Sequence, residues 1–382
     1  MKGVVRVRLR VTPEQSDALT RTLRASNAGA THAAAVAFAQ KISTAFSLHH
    51  AVYQDLKSMG LGAQPAVRAI KKAADAAKTL RANARNGNLG RRGSVKFQRA
   101  MGKPVVFRED AAQPFDDRCL SWNHTASTVS IWTVDGRLRG IPFAGSPEQL
   151  VLLAGHRRGE SDLVTHQGKW YLLATLDLPD APTTVPDGFI GVDMGIVNIA
   201  TTSVGQNWSG DRINRVRHKN RRLRTKLQAK GTTSARRLLK KISGREARFA
   251  ADTNHVISKR IVTEAERTGK GIAVEDLAGI RSRVRLRKPQ RVMLHSWAFA
   301  QLGQFLAYKA AAAGVAFVQV DPAYTSQQCN DCGHTEKKNR ASQSEFVCQS
   351  CGVTLNADLN ASRNIADRGV MAWGAVNLPN AA

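Results

Sequence analysis

Four cysteines in two short pairs constrain this sequence more than any other feature. Cys329 and Cys332 form the first pair, and Cys348 and Cys351 form the second, in the spacing C-x2-C-x15-C-x2-C. Two such turns offer four thiolates, the ligand set that one zinc ion binds as a tetrahedron. Because the protein fills all four positions, we expect a closed structural site, and any chemistry must come from other residues.

The rest of the chain favours an intracellular compartment, in which paired cysteines bind metal instead of forming disulfides. The first residues, MKGVVRVRLRVTPEQ, lack the continuous apolar run of a signal peptide, and no stretch approaches the roughly 18 apolar residues of a membrane span. Cys119 stands alone in RCLSW, a predicted strand, and is interpreted as a small buried apolar side chain. We therefore expect no membrane partner.

The charge of the chain indicates its class of partner. The sequence carries 57 Lys and Arg against 29 Asp and Glu, a formal net charge of +28. A chain this basic repels itself unless a polyanion neutralises it, and nucleic acid is the polyanion that best fits. An anionic membrane is the weaker alternative, because no amphipathic segment rich in Trp or Phe stands out.

The first half of the chain predicts a β-rich domain with a helical insertion. Residues 5–11 alternate apolar and basic side chains, which is typical of a strand with one basic face. Thr12 and Gln15 supply a capping box for the first helix, and residues 13–90 read as helices with breaks near Gly60 and Gly62. Short β-rich runs follow over residues 91–180, with SVKFQ among the predicted strands.

The second half predicts an α/β domain interrupted by the cysteines. Strands alternate with helices, two of which are expected over residues 246–268 and 293–313, and this indicates a sheet with at least some parallel strands. Residues 211–248 contain 15 Lys and Arg against two acids, and the GTTS break within them suggests a hairpin of two basic helices. The expected segments are a linker over 181–187, the α/β domain over 188–324 and 353–376, the four-cysteine module over 325–352 and a tail over 377–382.

The pattern of charges along the sequence predicts which basic residues contact nucleic acid. They are Arg6, Arg8, Arg10, Arg68, Lys71, Lys72, Arg221, Arg222, Arg224, Lys240, Lys241, Arg285 and Arg287.

Three acids stand where an α/β sheet builds a site. Asp193 in IGVDMG and Glu275 in IAVEDL end buried strands, and Asp358 in NADLNASRNIA begins a short helix. Each alone is more often a turn or cap residue. Together they indicate a magnesium site, because Mg²⁺ prefers hard oxygen ligands and is usually held by few carboxylates. Asp276 is not chosen, because alternation along a strand would point it away from Glu275.

These motifs resemble those of the TnpB family of RNA-guided DNA endonucleases. IGVDMG, VEDL, the four cysteines and ADLNASRNIA are similar to the split RuvC nuclease domain of that family. Nearly the whole chain takes part in the resemblance, and the specific motifs lie between about 190 and 366. One departure is the pair Asn356-Ala357, where the family often has Asp-Arg before its last catalytic Asp.

The resemblance implies a fold and a mechanism. The fold is an α/β RuvC-like (RNase H-like) domain with an inserted zinc module, preceded by a β-rich wedge domain that carries a helical recognition insertion. Asp193, Glu275 and Asp358 would be the catalytic ligands of two Mg²⁺ ions, which can activate water and stabilise the leaving oxygen of a phosphodiester.

The resemblance also implies partners. A guide RNA would pair with one strand of double-stranded target DNA, and the protein would read only a short flanking motif. A single site would cut both strands, and the protein would act in the bacterial cytoplasm, on the nucleoid when bound to DNA, as a monomer or as a dimer on the RNA.

Three alternatives stay open at this point. An RNA-guided repressor would bind DNA without cleavage, but it would be expected to lose the acids. An unguided RuvC-like resolvase would need neither the four-cysteine module nor the large N-terminal half. A zinc-ribbon binding module without catalysis would leave Asp193 and Glu275 unexplained.

Overall fold

The computed structural model describes residues 1–277 and 299–377 of the chain. Contacts divide it into two compact units, Met1–Pro179 and Asp180–Ala382. Among the described residues, no helix combines the length and apolar character needed to cross a membrane.

The first unit contains a seven-stranded antiparallel sheet and five helices. Its strands are β1 (Lys2–Leu9), β2 (Gln113–Phe115), β3 (Leu120–Asn123), β4 (Thr128–Thr133), β5 (Gly136–Ala144), β6 (Arg157–His166) and β7 (Lys169–Asp177), in the order β2-β6-β7-β1-β5-β4-β3. Its helices are α1 (Pro13–Ala39), α2 (Ala45–Ser58), α3 (Ala63–Arg85), α4 (Val95–Met101) and α5 (Pro147–His156). Strand β1 therefore lies inside the sheet, antiparallel to both β7 and β5.

The sequence patterns of the first unit are largely confirmed. Thr12 caps α1 and forms the predicted capping box with Gln15. Val5, Val7 and Leu9 are buried in β1, and Cys119 is buried beside β3, where burial raises its thiol pKa to about 11.

One predicted strand is wrong. The run SVKFQ begins helix α4, because the Ser94 hydroxyl accepts a hydrogen bond from the Phe97 amide and caps the first turn.

The second unit is an α/β unit around a five-stranded sheet, as far as its described residues extend. Its elements are β8 (Phe189–Asp193), β9 (Asn198–Thr202), β10 (Asn207–Ser209), α6 (Asp211–Lys230), α7 (Thr233–Arg267), β11 (Gly271–Glu275), α8 (Phe299–Ala312), β12 (Phe317–Val320), β13 (Glu345–Val347), β14 (Thr354–Asn356) and α9 (Ala357–Asn377). The order is β10-β9-β8-β11-β12, and β13 pairs separately with β14. Strands β8, β11 and β12 run parallel to one another, which confirms the predicted parallel strands. Strand β9 runs antiparallel to both of its neighbours, β8 and β10.

Two helix predictions in the second unit need correction. Helix α7 runs unbroken over 35 residues, so the basic segment and the amphipathic helix expected from 246 are one element that passes through Gly244. The helix that carries Asp358 is not short, because α9 spans 21 residues. Of the helix expected over 293–313, α8 covers Phe299–Ala312, and residues 293–298 lie outside the described part of the chain.

Candidate metal-binding carboxylate site

The register of two parallel strands brings Asp193 and Glu275 together. Val192 of β8 is paired with Val274 of β11, and each strand ends on the next residue, which is the acid. Because adjacent strands lie about 4.8 Å apart, the two carboxylates emerge side by side at the same edge of the sheet. The apolar strands force this arrangement, since both are buried in the core.

Helix α9 brings the third acid to the same edge. A Cβ atom built on Gly191 would lie 1.9 Å from the Ser362 carbonyl oxygen, so the helix backbone rests directly on β8. The Asn356 side chain accepts hydrogen bonds from the amides of Asp358 and Leu359 and caps the helix. The pair Asn356-Ala357, which departs from the family pattern, therefore supplies the cap that fixes Asp358 in the first turn.

Hydrogen-bond donors orient the carboxylates of Asp358 and Glu275. The Asn198 side-chain amide donates to one oxygen of Asp358 at 2.8 Å, and the Arg340 guanidinium lies 3.4 Å from the other. The Thr325 hydroxyl donates to Glu275 at 2.5 Å. Asp358 is only 7% exposed, so its charge depends on these partners.

Asp193 and Glu275 open onto a cavity of about 420 Å³, here called the carboxylate cavity, and Asp358 pairs with Arg340 of its lining. Its lining includes Asp193, Glu275, Asp276, Asp321, Thr325 and Arg340. Strand β11 ends at Glu275, so strand alternation no longer fixes the direction of Asp276, and this acid borders the cavity as well. The expectation that Asp276 points away from the site is therefore wrong, although no ligand role follows from its position.

The carboxylates repel one another strongly. Burial, followed by the nearby charges of Glu275 and Asp358, raises the pKa of Asp193 to about 8. Burial also raises the pKa of Glu275, which the hydrogen bond from Thr325 partly opposes. Asp193 therefore holds a proton at neutral pH unless a cation replaces it. The donor set is all oxygen, which fits a hard divalent cation such as Mg²⁺.

The four cysteines converge as predicted. Their sulfur atoms all lie within 4.8 Å of one another, and two pairs, Cys329–Cys351 and Cys332–Cys348, are 3.8 and 3.6 Å apart. A disulfide would need about 2.05 Å. Four thiolates around one zinc at about 2.3 Å would be separated by about 3.8 Å, so the cluster could bind one zinc ion.

The two cysteine turns have the same backbone geometry. Gly333 and Gly352 have φ angles of 76° and 72°, as expected for the glycine after each pair, and each donates its amide to the first cysteine of its turn at 3.0 Å. The buried Asn339 side chain bridges the turns, donating to the His334 carbonyl and accepting from the Gln349 amide. Arg340 follows this anchor directly, which explains how it reaches Asp358.

The proposed nucleic-acid contacts of the first unit fall into two groups. Arg6, Arg8 and Arg10 are exposed on one face of β1, and the Arg6 guanidinium stacks over the Tyr171 ring.

The second group, on α3, is engaged inside the unit. Arg68 pairs with Asp116 and Glu160, and Lys71 also pairs with Glu160. Lys72 donates to the Asn27 side chain and the Ala112 carbonyl, and burial lowers its pKa to about 8. Their charges are compensated within the fold, which favours a structural role for these three.

The basic hairpin, residues 211–248 of α6 and α7, is mostly open to solvent. Arg221, Arg222, Lys240 and Lys241 are exposed, whereas Arg224 pairs with Glu246 across the hairpin at 2.8 Å. Arg285 and Arg287 lie outside the described residues.

Sequence reasoning missed the residues that hold the acids. The contacts come from segments distant in sequence: Asn198 and Arg340 contact Asp358, and Thr325 contacts Glu275. None of the three contacting residues belongs to a recognisable binding motif. The one available signal was position, since Thr325 and Arg340 flank the first cysteine pair within the four-cysteine module.

Comparison with known proteins gives matches in sequence and in fold. The profile of the Cas12f1-like TNB domain family matches residues 299–365, which include the four cysteines and Asp358. Over 236 residues, 56% of this chain and 54% of its relative, the sequence is 31% identical to a CRISPR-associated endodeoxyribonuclease Cas12f1 from Sulfoacidibacillus thermotolerans. Over 229 residues it is 32% identical to the putative RNA-guided DNA endonuclease InsQ of Escherichia coli K12, covering 54% of this chain and 56% of InsQ.

A TnpB-like protein, MJ0751 of Methanocaldococcus jannaschii, is 36% identical over 129 residues, 34% of this chain and 46% of MJ0751. The chain spans about half the length of the curated relatives it matches. Its fold resembles that of Cas12f1 in a cryo-EM complex with sgRNA and target DNA, with a TM-score of 0.60 at 15% identity, covering 93% of this chain and 83% of that one. These matches confirm the resemblance to the TnpB family that is seen in the sequence.

Proposed function

We propose that this protein is an RNA-guided DNA endonuclease that cleaves its target in one RuvC-like site. The observation that carries the proposal is the convergence of three acids from distant segments: Asp193 and Glu275 line one cavity and have raised carboxyl pKa values, and Asp358 lies close enough to raise the pKa of Asp193. A binding protein without catalysis has no use for this destabilising cluster. The presence of all three acids therefore favours a nuclease over a repressor.

The sheet supports the RuvC-like assignment. If β8, β9, β10, β11 and β12 are numbered 1 to 5, their order in the sheet is 3-2-1-4-5. Strand 2 is antiparallel to its neighbours 1 and 3, and strands 4 and 5 are parallel to strand 1. This arrangement is typical of RNase H-like domains. On this basis the nuclease domain comprises residues 188–324 and 353–376, with the four-cysteine module inserted over 325–352 and holding one zinc ion.

The residues of the cavity have distinct roles in the proposed mechanism. Asp193, Glu275 and Asp358 would hold two Mg²⁺ ions, which supply an activated water and stabilise the leaving oxygen. Asn198 holds one oxygen of Asp358 in place. Arg340 adds a positive charge beside the acids, which lowers the pKa of both Asp193 and Glu275 and favours their ionised, metal-binding form.

The charge of the chain supports the nucleic-acid partners. The exposed basic residues of the hairpin and of β1 carry charges that the fold does not neutralise, and phosphate contacts would release their counterions. The relatives named Cas12f1 and InsQ are described as DNA endonucleases, the latter as RNA-guided. We assign the wedge domain to residues 1–12 and 91–180 and the recognition insertion to 13–90, and expect these to read the motif beside the target.

Sequencing the RNA that co-purifies with the full chain tests the guided function. We expect one abundant RNA species. A variant in which Arg221, Arg222, Lys240 and Lys241 are alanine should retain much less RNA at the same salt, because phosphate contacts are lost. The matched control replaces Arg24 and Arg267, which form surface ion pairs with Glu109 and Glu264. Recovery of random cellular RNA alone would contradict the proposal.

Magnesium dependence should vary with pH. Asp193 has a pKa of about 8, so below that pH its proton competes with the cation. We expect the Mg²⁺ concentration for half-maximal cleavage to rise by up to about tenfold for each pH unit below 8, if one proton is displaced. The measurement is a Mg²⁺ titration of the cleavage rate at several pH values, with RNA and DNA binding measured at each. A requirement that does not change with pH would contradict the assignment of Asp193.

A further inference from the structure

We propose that Thr325 is a positioning residue that holds the carboxylate of Glu275 ready to bind a divalent cation. The proposal rests on the proposed function, because Glu275 is one of the three proposed metal ligands and lines the carboxylate cavity. It extends that function by giving the four-cysteine module a direct part in building the metal site.

The geometry of Thr325 points to a specific contact. Its side chain is buried, with the residue 2% exposed, and its hydroxyl lies 2.5 Å from Glu275 Oε1 and 3.2 Å from the Pro322 carbonyl oxygen. A hydroxyl has one proton to donate. The shorter distance and the charge of the acceptor assign that proton to Glu275, since hydrogen bonds to a carboxylate are shorter and stronger than neutral ones.

The backbone around Thr325 is fixed by unusual local structure. Tyr324 has a φ angle of 63°, in the left-handed region that bulky residues rarely adopt, and its side chain is exposed. This residue reverses the chain between β12 and the first cysteine pair. The Thr325 carbonyl then accepts a hydrogen bond from the buried Asn364 side chain at 2.9 Å. Tyr324 therefore adopts an unfavourable backbone conformation directly before Thr325, the residue that contacts Glu275.

Asn364 connects this contact to the rest of the site. It lies on α9, the helix whose first turn contains Asp358, and also donates to the Gln328 carbonyl at 2.7 Å, next to Cys329. Thr325 thus joins three parts of the unit: the end of β11, helix α9 and the start of the four-cysteine module. A shift of the module would move the hydroxyl away from the carboxylate.

A single donor of this kind affects metal binding by fixing the rotation of the carboxylate. Without it, Glu275 can turn within the cavity, and the cation must order the side chain when it binds. Loss of such a hydrogen-bond partner typically weakens metal binding by about 10- to 100-fold.

The test is a Mn²⁺ titration of the full chain, loaded with zinc and its co-purified RNA, followed by electron paramagnetic resonance of the free ion. Thr325→Val removes the hydroxyl and keeps the shape, and we expect Mn²⁺ affinity at the cavity to fall by about tenfold or more. Thr325→Ser keeps the hydroxyl and should stay within about threefold of the natural protein. Thr335→Val, in the same module but with its hydroxyl on the Gly333 carbonyl, should change nothing.

Zinc content and thermal unfolding are measured on each variant, so that loss of the fold is recognised. Equal Mn²⁺ affinity in Thr325→Val and the natural protein would overturn the inference, as would a serine variant as weak as the valine one. The proposed function fails separately: in that case the natural protein and Asp193→Ala would bind Mn²⁺ alike, whatever residue 325 is.

Discussion

Replacement of Asp193 by alanine is expected to abolish cleavage of target DNA while leaving RNA binding intact. Asp193 lines the carboxylate cavity, and the charges of both Glu275 and Asp358 raise its pKa, so it lies near both other acids of the proposed metal site. Metal ions contribute several kcal/mol to stabilising the transition state, and loss of about 4 kcal/mol slows the reaction by about a thousandfold.

The measurement is single-turnover cleavage of a matched duplex with saturating protein–RNA complex. Asp187→Ala is the control, because this acid is exposed and lies just before the same strand, outside the cavity lining. Thermal unfolding in EDTA separates catalysis from stability: Asp193→Ala should unfold at a higher temperature than the natural protein, since it removes a buried, repelling carboxyl. If Asp193→Ala still cut DNA at the natural rate, the site would lie elsewhere.

Gly191→Ala is expected to have the largest effect on stability. Its new Cβ would lie 1.9 Å from the Ser362 carbonyl oxygen and 2.5 Å from the Ala366 amide nitrogen. Both atoms belong to the backbone of α9 and cannot rotate away, so the helix must move off β8. Overpacking of this kind lowers the free energy of unfolding by about 1–3 kcal/mol. Because this clash involves only backbone atoms, we expect a loss of about 3 kcal/mol or more. Because α9 carries Asp358, the variant should lose cleavage even at temperatures where it stays folded.

Gly303→Ala provides the matched control. Gly303 lies in helix α8 of the same unit, and a Cβ there meets no atom of the described residues within 4 Å. Alanine at this position should be neutral or stabilise by up to about 1 kcal/mol, because glycine weakens a helix interior. Chemical denaturation followed by circular dichroism measures both variants. A Gly191→Ala protein as stable as the Gly303→Ala protein would contradict the close packing of α9 on β8.

The parts of the site that could be predicted from sequence are those with a local signature. The spacing of Cys329, Cys332, Cys348 and Cys351 predicted their convergence, because each pair is formed by one tight turn. Asp193 and Glu275 could be placed at strand ends, because uninterrupted apolar runs precede both acids. SVKFQ was misread because its apolar alternation resembles a strand, while the deciding contact is one hydroxyl at the cap.

The contacts that orient the acids could not be predicted in this way. Asn198 reaches Asp358 across 160 positions of sequence, and Arg340 reaches it from within the cysteine module. Such contacts depend on how β9, the module and α9 pack together, and no local pattern of residues encodes that packing. The basic residues of α3 show the same limit, since the charge of Arg68 reveals nothing about its partners Asp116 and Glu160.

The wide separation of β8 and α9 in the sequence also affects when the site can form during protein synthesis. A ribosome adds about 5–20 residues per second, so roughly 8–30 s pass between the synthesis of Asn198 and that of Asp358. During that interval β8 and β9 can already pair, yet the last carboxylate does not exist. We therefore expect every nascent or prematurely terminated chain that stops before α9 to be unable to cut DNA. Under the proposed function, completion of the polypeptide would delay cleavage until the parts that select the target have been made.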